Sequence, residues 1–103
     1  MRILVFFDLP TNTIKERKAY TKFRKFLINE GFIMMQESVY VKLALNNSIT
    51  NSEKEKIIKN KPEKGIVQIL VITEKQFNSM EYITGEKETN ILDDTERLLI
   101  LWS

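Results

Sequence analysis

Residues 3–13 read ILVFFDLPTNT, and the next three add IKE. Five consecutive apolar side chains mark a strand with little exposure on either face, and Pro10 blocks its extension, so a first strand is expected over residues 2–7. Thr13-Ile14-Lys15-Glu16 then has the S/T-x-x-E form of a capping box: the threonine oxygen takes up a free amide and the glutamate reciprocates, so a helix should begin at Ile14. Ala19, Tyr20, Phe23, Phe26 and Leu27 recur at helical spacing, and Gly31 supplies the left-handed stop. One residue stands out in this strand-to-helix unit. Asp8 sits at the lip of a greasy strand, where an ionised carboxylate calls for a hydrogen-bond donor, a cation or water.

Working outward, residues 32–45 are rich in β-branched and aromatic side chains and suit two short strands with a break at 36–38. Asn46-Asn47-Ser48 reads as a loop, after which Thr50 or Ser52 can cap a shorter helix running to about residue 60, with Pro62 and Gly65 at its exit. Residues 66–73, IVQILVIT, form another strand; 74–97 are polar, with one helical turn expected near 76–80; and 98–102, LLILW, close the chain as a final apolar strand. The order β, α, β, β, α, β plus one strand predicts an α+β fold, the ferredoxin-like βαββαβ arrangement with an additional C-terminal strand. All 103 residues are read as one domain, with 84–103 as a C-terminal extension. Two helices cover one face of such a sheet. The continuous apolar strands imply cover on the other face too, and a second copy of the chain supplies it, giving a sheet-to-sheet homodimer.

Composition narrows the chemistry. With 43% hydrophobic and 29% charged residues the chain is of ordinary globular type, and no signal peptide or membrane-spanning run is recognisable, so a cytoplasmic location with no membrane partner is expected. Cysteine and histidine are both absent, which excludes disulfides, thiolate sites, histidine ligands and serine–histidine triads. Hydrolysis by such a chain has to rest on carboxylates, hydroxyls, lysine or a hard cation such as Mg²⁺ or Mn²⁺.

The net charge of +2 is mild, but its distribution is not. The first 45 residues hold Arg2, Lys15, Arg17, Lys18, Lys22, Arg24, Lys25 and Lys42 against Asp8, Glu16, Glu30 and Glu37, whereas acids gather near the end at Glu81, Glu86, Glu88, Asp93, Asp94 and Glu96. At 100° per residue Lys15, Lys18, Lys22 and Lys25 line one side of the first helix, flanked by Arg17 and Arg24. That face suits a phosphate backbone, or is a solvated helix surface. Asp8 has two readings as well: it accepts amides of the 9–13 turn or caps the helix, or, paired with its copy across a dimer axis, it holds a divalent cation. Asp93, Asp94 and Glu96 match no cation loop and read as a solvated acidic segment; Phe6, Phe7, Phe23 and Phe26 read as core.

Four segments in order, FFDLP with Asp8, RKAYTKFRKFL, GFIMMQESVYVKL and GIVQILVITEKQF, resemble the CRISPR-associated protein-two family, the small subunit of the spacer-acquisition complex, across nearly the whole chain. The resemblance implies a ferredoxin-like homodimer between two dimers of the CRISPR integrase subunit, serving as an architectural spacer and clamp for duplex DNA. It also implies an alternative: a metal-dependent endonuclease acting on RNA, including single-stranded RNA, or on DNA, with Asp8 as catalytic residue and Mg²⁺ ligand and Mn²⁺ as a substitute. The family's hydroxyl or aromatic positions after the second strand correspond loosely to Ser38 and Tyr40, to which no direct role is assigned, and Phe7 stands where many relatives carry tyrosine. The DNA-contact assignment of Lys15, Arg17, Lys18 and Lys22 rests on the helix face, not on a matched motif. A third reading, from another class, is a regulatory domain with a small ligand in a dimer groove, since this architecture hosts many functions.

Overall fold

A four-stranded antiparallel sheet organises the chain, in the spatial order second, third, first, fourth strand. The structure is a computed structural model and describes residues 1–86. Its elements are β1 (Arg2–Asp8), α1 (Ile14–Asn29), β2 (Ile33–Gln36), β3 (Val39–Leu43), α2 (Asn47–Lys59), β4 (Ile66–Ile72) and α3 (Glu74–Asn78). This is the ferredoxin-like βαββαβ order expected from the sequence, with β1 paired to both β3 and β4. The expected final strand at 98–102 and the acidic stretch at 93–96 lie outside the described residues, as does most of the 84–103 extension.

The helix starts follow local hydrogen bonding. Thr13 Oγ1 accepts from the Glu16 amide at 3.1 Å and Glu16 Oε1 accepts from the Thr13 amide at 3.0 Å, so α1 begins at Ile14 as its capping box requires. Gly31, at φ +91°, ends it. The second helix begins earlier than expected. Asn46, not Thr50 or Ser52, is its cap: the Asn46 side chain accepts from the Ile49 amide at 2.9 Å, and Thr50 instead returns its hydroxyl to the Asn46 carbonyl inside the helix. Asn47 and Ser48, read as loop, therefore belong to the first turn of α2. The helical turn expected near 76–80 starts at Glu74, because Thr73 and Gln76 form a second capping box.

Sheet parity sorts the core into two layers. Ile3, Val5 and Phe7 of β1 point to the helices and pack with Phe23 and Leu27 of α1, Ile57 of α2 and Tyr40. Phe7 is the hub, with ring centroids 5.4 Å from Phe23, 5.6 Å from Tyr40 and 5.8 Å from Tyr20. On the opposite face Leu4 and Val41 pack with Phe77 of α3, next to Phe6, Ile33, Met35, Val39 and Ile72. A five-residue helix has no stability of its own, so α3 is held by tertiary contacts. Burial of Phe77 contributes about 2–3 kcal/mol, and buried Arg2 places its guanidinium 4.6 Å from the Phe77 ring centre while Nε donates to Glu74 Oε1 at 2.8 Å. Cover of the second face is thus partly internal. Elsewhere on it the chain leaves apolar surface open: Ile66 is 58% exposed and Leu70 51%.

Candidate nucleic-acid interface and the Asp8 strand end

Asp8 is the last residue of β1, one residue further along the strand than the sequence suggested, and pairs in register with Ile66 of β4. Extending the ladder this far is possible because Pro10, not Leu9, is the first position unable to continue it. By strand alternation Asp8 lies on the face of Leu4 and Phe6, away from α1 and α2. Its side chain is exposed, and no hydrogen bond or ion pair reaches its carboxylate among the described residues. The turn that follows takes its hydrogen bonds from Glu16, which accepts from the Asn12 and Thr13 amides. Asp8 is therefore neither the helix cap nor the acceptor for the 9–13 turn. Among the described residues, no group of three or more histidine, cysteine, aspartate or glutamate side chains gathers into a metal cage, so Asp8 brings one carboxylate per chain.

Gly65 fixes the backbone beside it. With φ at +96°, a conformation L side chains rarely adopt, it lies against the departing chain so closely that a Cβ would stand 2.5 Å from the Asp8 carbonyl oxygen.

The cations of α1 separate into two kinds. Lys15, Lys18, Lys22 and Lys25 are exposed and form no ion pair or hydrogen bond among the described residues. Lys18, Lys22 and Lys25 border one shallow surface with Arg17. Arg17 is exposed too but also braces the preceding loop, its Nη1 donating to the Thr11 and Asn12 carbonyls at 3.2 and 3.3 Å. Arg24 leaves the basic face: its Nε donates to the Tyr40 hydroxyl at 2.8 Å, and that hydroxyl raises the guanidinium pKa further above its ordinary value. Tyr40 is fully buried, its hydroxyl taken up by Arg24.

A second set of lysines was not singled out in the sequence. Lys59 at the end of α2 and Lys61 and Lys64 in the following loop line a groove of about 370 Å³ together with Lys15 and Lys22 of α1. The signal in the sequence is the run KNKPEK at 59–64, in which Pro62, with Gly65 just beyond, marks a helix exit before it marks a basic cluster.

The site thus has two parts, an exposed acid at the end of the central strand β1 and an exposed lysine row on α1, on opposite faces of a ferredoxin-like sheet. The chain belongs to the Cas2 family: the model described as CRISPR associated protein Cas2 matches residues 1–80. Relatives named CRISPR-associated endoribonuclease Cas2 include those of Streptococcus mutans serotype c, 52% identical over 98% of this chain and 93% of the relative, and Treponema denticola, 52% identical over 98% and 100%. That of Ligilactobacillus salivarius is 48% identical over 98% and 100%. A crystal structure of Streptococcus pyogenes Cas2 at pH 6.5 shares the fold, with a TM-score of 0.62 at 17% identity over 82% of this chain and all of that one. No helix among the described residues is long and apolar enough to cross a membrane.

Proposed function

We propose that the chain is an architectural, duplex-DNA-binding homodimer of CRISPR adaptation that works in the cytoplasm and bridges integrase subunits. The observation that carries this reading is the exposed lysine stripe of α1. Lys15, Lys18, Lys22 and Lys25 lie on one helix of about 24 Å, and among the described residues none of them forms an ion pair. Duplex DNA presents a charge about every 1.7 Å along its axis, so such a helix meets several phosphates at once. Arg17 adds a cation at the helix start. The second copy is supported by the open part of the sheet face, where Ile66 and Leu70 are half exposed on the side that also carries Leu4 and Phe6.

A second reading, a Mg²⁺-dependent endonuclease acting on RNA or DNA, is favoured by Asp8 and by the endoribonuclease name of the relatives. An exposed carboxylate with no partner among the described residues fits Mg²⁺, which keeps several waters and binds through one or two carboxylates; Mn²⁺ takes the same ligands. Asp8 and its copy across a two-fold axis would hold the ion, which when bound makes a coordinated water more acidic and hence a better nucleophile.

Reconstitution with the neighbouring integrase and a short duplex separates the two. Under the architectural reading, Asp8→Asn integrates as wild type does, and loss of integration at unchanged duplex affinity overturns it. Under the nuclease reading, the same substitution abolishes Mg²⁺-dependent cleavage of single-stranded RNA or duplex DNA; a mutant that cuts equally well shows that the cleavage comes from another protein.

A further inference from the structure

The groove between the start of α1 and the exit of α2 gathers five lysines from two separate parts of the chain: Lys15 and Lys22 from the helix, Lys59, Lys61 and Lys64 from the corner. We infer that this corner extends the DNA-contacting surface, so that the phosphate track on α1 continues across Lys59, Lys61 and Lys64. The inference rests on the DNA-binding reading above and deepens it.

Four observations carry it. First, the surface is continuous, since Lys22 borders both the α1 face and the corner groove. Second, all five lysines border one concavity, although they come from segments more than thirty residues apart in the chain. Third, none of the three corner lysines forms an ion pair or hydrogen bond among the described residues, although the chain pairs Lys42 with Glu53 and Lys56 with Glu30 nearby. Lys59 has a local role, opposing the negative end of the α2 dipole, but Lys61 and Lys64 lie beyond the last turn, where that effect has faded.

Fourth, the acids of the groove do not cancel this charge. Glu16, which accepts from the Asn12 and Thr13 amides, and Glu63 are two carboxylates against five lysines, so among the described residues the lining keeps an excess of three positive charges (5 − 2 = 3). The occupant is a polymer of phosphates rather than a small anion. Lysines are flexible point charges without the fixed, convergent donors that hold a lone ligand, whereas a repeating backbone needs only matched charge along a path. Leu9 and Pro10, half-buried in the lining, offer van der Waals surface to a sugar edge.

The test titrates a labelled duplex against the full chain across a salt series, using Lys59→Gln/Lys61→Gln/Lys64→Gln at the corner and Lys18→Gln/Lys25→Gln on α1. Circular dichroism verifies that both variants fold. Each phosphate neutralised contributes about 0.9 to the slope of log affinity against log salt, so the corner variant is expected to lower the slope by about 2–3 and to weaken low-salt binding at least tenfold. If the corner variant keeps wild-type affinity and slope while the α1 variant loses both, the inference fails and the DNA-binding reading stands. If the wild type shows no salt-dependent duplex binding, both fail. Saturable competition by ATP at concentrations far below those of phosphate itself would also overturn the inference, by making the groove a small-ligand pocket.

Discussion

Gly65 packs against Asp8: a Cβ on the glycine would sit 2.5 Å from the aspartate carbonyl oxygen and 2.8 Å from Leu9 Cδ2, and the glycine backbone is at φ +96°. The first contact is to backbone, which has nowhere to retreat inside the β1–β4 ladder. Gly65→Ala is therefore expected to cost about 1–3 kcal/mol from the left-handed backbone, with an additional shift of the strand end that carries Asp8. Urea unfolding reads the first effect. Under the nuclease reading the second appears as reduced Mg²⁺-dependent cleavage per folded molecule, with duplex affinity unchanged. A variant of wild-type stability would show that the 65–66 corner is free to relax.

Lys42 and Glu53 join β3 to α2 at 2.7 Å, with Glu53 only 5% exposed, and Lys42 also donates to the Glu30 carbonyl at the end of α1. Lys42→Met leaves Glu53 as an unpaired, nearly buried carboxylate. Loss of one partner from a buried pair costs about 3–5 kcal/mol, and partial exposure of Lys42 reduces this to about 2–4. Adding Glu53→Leu should restore most of the loss, since an apolar pair of similar volume is tolerated. Chemical denaturation of the single and double variants checks both signs, and a double variant no more stable than Lys42→Met would contradict the account.

Leu70 pairs in register with Leu4 across β1 and β4 but is half exposed where Leu4 is buried. In a sheet-to-sheet dimer that exposed half is interface; in a lone chain it is solvent-facing surface. Leu70→Lys is expected to shift the sedimenting species from dimer towards monomer while keeping native far-UV circular dichroism. An unchanged dimer would move the interface off this part of the sheet.

Much of this molecule is written locally and could be read from the sequence. Apolar runs placed β1 and β4, and the Thr13–Glu16 box and Gly31 bounded α1, because each depends on side chains a few residues apart. The start of α2 was misjudged because Asn46, Thr50 and Ser52 are all competent caps, and only the packing of Ile49 and Ile57 against the sheet selects among them. Helical angle places Arg24 beside the basic face, and it cannot foresee that Arg24 Nε donates to the hydroxyl of buried Tyr40. Lys59, Lys61 and Lys64 are illegible as a site for a related reason: they share a groove with Lys15 and Lys22 only after two distant segments are brought together by the fold.

Sedimentation equilibrium of the chain, alone and with a short labelled duplex at low salt, tests the central claim most directly. The account predicts a free species of twice the 12.2 kDa chain mass and a duplex complex containing chains in pairs. A folded 12.2 kDa monomer that leaves the duplex unshifted would contradict it.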